Sequence, residues 1–131
     1  MKVECALGDV VDRVTILALK AERITDATKL RNVRTELDAL RQDWARDGQP
    51  PMESLGAWSP LADVNARLWD VEDELREHER RGDFGPGFVA LARSVYVLND
   101  ERAAWKKAIN LELGSAVVEE KSYASYKQGE T

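Results

Sequence analysis

Apolar residues recur at spacings of three and four residues in four separate stretches of this 131-residue sequence. This spacing places them on one face of an α-helix, so each stretch predicts an amphipathic helix with a face to bury. The four stripes are Val10, Val14, Leu17, Ala21 and Ile24; Leu30, Val33, Leu37, Leu40 and Trp44; Leu61, Val64, Leu68, Val71 and Leu75; and Phe88, Leu91, Val95, Leu98, Trp105 and Ile109. In the last stripe Arg102 stands where a further apolar residue is expected. The chain is therefore predicted to be all-α, with one cation directed into the protein.

Residues typical of helix ends divide the chain between the stripes. Asp9 and Asp26 are predicted to cap the first two helices, and Ser59 followed by Pro60 is predicted to begin the third. The predicted helices span residues 9–24, 27–47, 60–81 and 86–113, followed by a tail over 115–131. The short links within each pair predict two antiparallel helical hairpins. We expect a single domain over 1–131, an antiparallel four-helix bundle with the C-terminal tail docked on it.

Composition excludes several classes of function. The formal net charge is −5, and the arginines alternate with acids, so no basic surface for nucleic acid is expected. Cys5 is the single cysteine, which leaves no internal disulfide and no thiolate metal site. No apolar run approaches the roughly 20 residues that span a bilayer, and the N-terminus does not resemble a signal peptide. We expect a cytoplasmic protein with no cofactor, no metal and no membrane partner.

A strip of polar side chains is predicted to run beside the apolar faces of the first, third and fourth helices. We call it the polar seam, and its candidate ligand-binding residues are Thr15, Glu22, Asn65, Trp69, Glu72, Tyr96, Asn99, Arg102 and Lys106. A buried arginine needs acceptors for its charge. The direction of each side chain around its helix favours Glu22 and Glu72 as these acceptors, whereas the antiparallel register places Asn65 and Trp69 nearer in height.

Three interpretations of the polar seam remain open. It is a buried polar network that sets the register of the helices, or a ligand site within a bundle, or a contact with a partner chain or a second copy. Two cations beside amides suit a phosphate or a carboxylate, which favours a small anionic molecule under the second interpretation.

Familiar catalytic motifs are incomplete in this chain. His78 is the only histidine, so the paired Glu-x-x-His motifs of a di-iron bundle cannot form. The magnesium motif of all-α pyrophosphohydrolases is half present as Glu74-x-x-Glu77, but no second carboxylate follows Glu101 at the required spacing. No catalytic residue is assigned, and whether the protein is an enzyme stays undecided.

Four blocks of sequence carry a resemblance to a known family. They are GDVVDRVTIL from Gly8, VNARLWDVED from Val64, LARSVYVLNDERA from Leu91 and EEKSY from Glu119. With them the chain resembles an uncharacterised bacterial all-helical family, catalogued as a domain of unknown function. The resemblance implies no activity. It implies that the tail belongs to the fold, with Glu120, Lys121 and Tyr123 contacting the bundle.

These sequence patterns do not identify the function of the protein. The absence of a complete catalytic constellation favours a helical binding or assembly module, homodimeric or bound to another protein. The alternative is an enzyme or binder that takes a small phosphorylated or carboxylated ligand at the polar seam, between the first, third and fourth helices.

Overall fold

The computed structural model of the protein describes residues 1, 3–115, 122 and 124–126. Four α-helices and one short 3-10 helix make up its regular structure, and no strand occurs among the described residues. The helices are α1 (Leu7–Arg23), α2 (Ala27–Arg46), α3 (Trp58–Arg81) and α4 (Pro86–Leu113), and the 3-10 helix is Met52–Ser54. The prediction of an all-α helical bundle is confirmed.

Local signals account for several helix ends. The Asp26 side chain accepts a hydrogen bond from the backbone N–H of Lys29 at 2.8 Å and caps α2, as predicted. α3 and α4 end at Gly82 and Gly114, whose φ angles of 68° and 64° lie in the left-handed region that suits glycine.

Two predicted helix starts are wrong by two residues. α1 begins at Leu7 after Ala6, and Asp9 lies in its first turn instead of capping it. α3 begins at Trp58 and not after a Ser59 cap. The reason at α3 is a preceding turn, in which the backbone N–H of Trp58 donates to the carbonyl of Leu55 at 3.1 Å.

The hydrophobic core lies around α1, which packs against α2, α3 and α4, while α3 also packs against α4. The core is built from Val11 and Val14 of α1, Trp44 of α2, Leu61 and Val64 of α3, and Leu98 and Ile109 of α4. The connection between α2 and α3 adds buried Met52, Leu55 and Ala57. The long connection therefore closes one end of the bundle.

α2 is peripheral in this arrangement. Trp44, near its C-terminal end, is buried, whereas Leu30 and Val33 near its N-terminal end are half-buried. The Trp44 indole N–H donates to the carbonyl of Pro50 at 2.7 Å, which attaches the end of α2 to the connection. The stripe of α2 is therefore covered unevenly along its length.

The described part of the tail reaches α4. The ring of Tyr126 lies 5.0 Å from the ring of Tyr96, centroid to centroid. The predicted tail contacts Glu120, Lys121 and Tyr123 lie outside the described residues.

Candidate functional site

Arg102 enters the bundle and pairs with a carboxylate of α1. Its Nε donates to Oδ1 of Asp12 at 3.0 Å and its Nη2 donates to Oδ2 at 2.6 Å. The Asp12 side chain is 6% exposed and that of Arg102 is 31% exposed. This two-point contact fits the planar guanidinium to the planar carboxylate, the geometry of strong arginine pairs.

Asn65 and Thr15 complete a network around the same carboxylate. The Asn65 amide donates to Asp12 Oδ1 at 2.9 Å and to the Thr15 hydroxyl oxygen at 2.8 Å. The Thr15 hydroxyl donates in turn to the backbone carbonyl of Asp12 at 2.6 Å. Asp12, Thr15, Asn65 and Arg102, which we call the polar network, therefore join α1, α3 and α4 through contacts with strict directional requirements.

The start of α1 is capped by Asn110 of α4 and by Ser115, just after α4, instead of by a local residue. The backbone N–H of Gly8 donates to Oδ1 of Asn110 at 2.6 Å, and that of Leu7 donates to the Ser115 hydroxyl at 3.1 Å. Free N–H groups at a helix start need such acceptors. α1 therefore begins at Leu7 without a cap from Asp9.

Gly8 allows the two helices to approach closely at this point. A Cβ atom on Gly8 would lie 2.3 Å from the carbonyl oxygen of Lys106 and 2.9 Å from Oδ1 of Asn110. Beside this contact the Lys106 ammonium lies 2.9 Å from Oδ1 of Asp9, and the Lys106 side chain is only 14% exposed. Both cations that α4 directs inward are thus paired with acids of α1.

Arg102 also lines three adjoining cavities. The α4 cavity, of about 440 Å³, runs along α4 beside Tyr96, Asn99 and Lys106. The α1–α2 cavity, of about 630 Å³, lies between α1, α2 and α4 and includes Lys106. The α1–α3 cavity, of about 360 Å³, lies between α1, α3 and α4 and includes Asn65 and Asn99. Among the described residues, Arg102 is therefore the one that lines all three cavities.

The structure distributes the predicted seam residues unevenly. The α1–α3 cavity brings together Asn65, Trp69, Glu72, Asn99 and Arg102. The α4 cavity brings together Tyr96, Asn99, Arg102 and Lys106. Thr15 is buried in the polar network, whereas Glu22 is exposed and lines none of the three cavities. Tyr96 and Asn99 are themselves exposed, so they lie at the cavity edges.

The carboxylate partner of Arg102 differs from the one expected from helix direction. Within the described part of the chain it is Asp12, while Glu22 and Glu72 are exposed. The sequence held a signal for it, because Asp12 and Thr15 are three residues apart and therefore neighbours on one side of α1.

Trp69 is held from two sides at the edge of the α1–α3 cavity. Its indole N–H donates to Asp73 at 3.1 Å, and the guanidinium of Arg23 lies 5.7 Å from the ring centroid. Arg23 is fixed there by Asp70, with a nitrogen–oxygen distance of 2.6 Å. These two contacts hold the indole ring of Trp69 in place at the edge of the cavity.

A comparison with models of known protein families places the chain in one of them. A family model described as a family of unknown function, DUF6165, matches residues 1–128. The chain belongs to the DUF6165 family. No match was found among curated proteins or among solved structures. The expected family resemblance is confirmed at this level, and it brings no activity with it.

The described residues place two further limits on the site. Among them, no three His, Cys, Asp or Glu side chains gather in a group that could hold a metal ion. Within the same part of the chain, none of the helices has an apolar stretch long enough to cross a lipid bilayer.

Proposed function

We propose that this DUF6165 protein is a helical assembly module that self-associates through an exposed face of α4. The single observation that carries the proposal is a second apolar stripe on this helix. Leu98 and Ile109 face the core, yet Val97 and Leu111 are 44% and 70% exposed, and Ala104 between them is exposed as well. A helix that is apolar on two faces is typical of one with two sets of packing partners.

The spacing of the exposed stripe favours a second copy of this chain as the occupant. Val97 and Leu111 each lie seven residues from Ala104, so the stripe is symmetric about Ala104 and about 21 Å long. In an antiparallel pair with Ala104 on the twofold axis, Val97 of each copy faces Leu111 of the other. The small Ala104 side chain lets the two helices approach closely at the axis.

Charge supports the same antiparallel arrangement. Asp100 and Lys107 are exposed beside the stripe, on opposite sides of Ala104. The twofold axis places Asp100 of one copy near Lys107 of the other, so two ion pairs flank the apolar contact. A surface that complements itself in this way is what a twofold interface requires.

In this proposal the two cations that α4 directs inward have structural roles. Arg102 and Lys106 are paired with Asp12 and Asp9 inside the protein, so they set the positions of α1 and α4.

The exposed thiol of Cys5 suits a reducing compartment, and we propose the cytoplasm as the location.

Light scattering coupled to gel filtration tests self-association. We expect wild-type protein to show twice the mass of the chain and Val97→Glu to shift to the mass of one chain. Val3→Glu is a matched control, because Val3 is 72% exposed but lies outside α4. A wild-type protein that stays at the mass of one chain over a concentration series contradicts the proposal.

A charge exchange tests the antiparallel geometry separately. Asp100→Lys brings two cations together across the axis and should weaken the dimer. Combining Asp100→Lys with Lys107→Asp restores opposite charges and should recover it. If the double variant is as weak as Asp100→Lys alone, the antiparallel arrangement is wrong even if a dimer forms.

A second candidate function, binding or conversion of a small anionic ligand at the polar seam, is favoured by the convergence of three cavities on Arg102. Asn99 tests this candidate because it lines two of the cavities and lies outside the polar network. Affinity for an anionic ligand should fall in Asn99→Ala and should be unchanged in Gln42→Ala, an exposed position on α2.

A further inference from the structure

The α1–α2 cavity combines an apolar wall with a surplus of positive charge. Its volume of about 630 Å³ lies within the range typical of small-molecule sites. Val10, Ile16 and Leu17 of α1 and Leu40 of α2 form the apolar wall. A ligand with an apolar body would gain free energy by leaving water for this surface.

Six of the seven charged side chains in the described lining of this cavity form three ion pairs. Arg102 pairs with Asp12 and Lys106 with Asp9. The third pair joins Arg13 of α1 to Glu36 of α2, with Nε 3.1 Å from Oε1. The net charge of the described lining is therefore set by the one charged residue outside these pairs.

That residue is Lys20, in the last turn of α1. It is half-buried, and within residues 1, 3–115, 122 and 124–126 its ammonium has no ion pair or hydrogen bond. The described part of the lining therefore carries one net positive charge, located at Lys20. A cation that is partly removed from water and lacks a counter-ion favours an anion as its partner.

We infer that the α1–α2 cavity binds a small amphipathic carboxylate, with its carboxylate at Lys20 and its apolar body against Ile16, Leu17 and Leu40. A singly charged head matches the single surplus charge. The inference rests on the second candidate function, ligand binding, but moves the ligand from the polar seam to the other side of Arg102. It does not depend on self-association through α4.

The two neighbouring cavities fit this ligand less well. In the α1–α3 cavity Arg102 is paired with Asp12, so among the described lining residues Glu72 and Asp73 outweigh Arg76. In the α4 cavity acids of α1 pair with Arg102 and Lys106, which leaves Asp100 as the remaining charged residue of the described lining. Among these three cavities, the surplus of positive charge in the described lining is thus confined to the cavity beside Lys20.

Octanoate and octanol are suitable probes, because they share an apolar body and differ in charge. Calorimetric titration should show octanoate binding to wild-type protein, with octanol much weaker. Lys20→Met keeps the apolar length of the side chain and removes its charge, so affinity for octanoate should fall about tenfold or more. Lys29→Met is the matched control, since Lys29 is exposed on α2 and outside the cavity.

Each result has a defined meaning. Equal affinity of wild type and Lys20→Met for octanoate, equal binding of octanol and octanoate, or no octanoate binding at all overturns the inference. Octanoate binding that is lost in Asn99→Ala but kept in Lys20→Met supports the polar seam instead. Val97→Glu should bind octanoate as wild type does, whether or not the dimer exists. Lys20→Gln provides a second neutral variant, and the unliganded melting temperatures of all variants establish that they are folded.

Discussion

α1 is held on two sides by contacts of different kinds. Towards α3 and α4 it uses the buried polar network and the close approach at Gly8. Towards α2 it uses half-buried apolar side chains and the Arg13–Glu36 ion pair, whose side chains are 64% and 36% exposed. The contacts with α3 and α4 fix the position of α1 because they are directional. The contacts with α2 are less directional and tolerate a displacement of α2 relative to α1.

The difference matters because burial changes how much a polar contact contributes to the free energy of unfolding. An exposed ion pair contributes about 0–1 kcal/mol, since water competes for both partners. Removing one partner from a buried pair costs about 3–5 kcal/mol, since the other charge stays behind without compensation. Damage on the α3–α4 side of α1 should therefore exceed damage on the α2 side.

The largest effect is expected from Asp12→Ala. This variant leaves the guanidinium of Arg102 and the amide of Asn65 without their shared acceptor. We expect the free energy of unfolding to fall by about 3–5 kcal/mol in urea denaturation. Combining Asp12→Leu with Arg102→Met removes both charges and should recover much of the loss. A loss under about 1 kcal/mol for Asp12→Ala is the value of an exposed pair and contradicts the comparison.

A smaller loss is expected from Gly8→Ala. The new Cβ meets the backbone carbonyl of Lys106, which cannot rotate away as a side chain would, so α1 must move off α4. Overpacking of this kind costs about 1–3 kcal/mol in unfolding experiments. Gly56→Ala is the matched control, because no atom lies within 4 Å of the position of its Cβ. Similar losses in the two variants would show that the close approach contributes nothing.

The smallest effect is expected at Glu53, where the connection joins α2. Its carboxylate lies 2.8 Å from Arg41 and its side chain is 51% exposed. A backbone hydrogen bond at Glu53 and then the pair with Arg41 lower the pKa of the carboxyl below 4.5, and partial burial opposes them. A lowered pKa stabilises the fold above the unfolded-state value, and this stabilisation is lost as pH falls through the folded-state value.

Glu53→Gln should therefore lower the free energy of unfolding by about 0.2–1 kcal/mol at neutral pH. The difference from wild type should begin to shrink as pH falls below 4.5 and should vanish once pH is below the folded-state pKa of Glu53. Glu112→Gln, on the exposed end of α4, is the control that removes a carboxylate without an ion pair in the described part of the chain. A difference at Glu53 that stays constant from neutral to acid pH would assign the effect to packing.

The local pattern of the sequence determined the number of helices and most of their ends. The 3-4 spacing needs only neighbouring residues to define a face, and Asp26, Gly82 and Gly114 act within one turn of their own helices. The inward direction of Arg102 followed from the same local geometry, because each residue turns the helix by about 100°.

Only the tertiary structure decided which acid meets Arg102, where α1 begins and how much of α2 is covered. Each depends on the relative height of two helices that are distant in sequence, as Asp12 and Arg102 are. Direction around a helix is a local property, whereas height between helices is set by packing as a whole. The contact of Gly8 with the Lys106 carbonyl brings the start of α1 against α4, and the polar network completes the register from there.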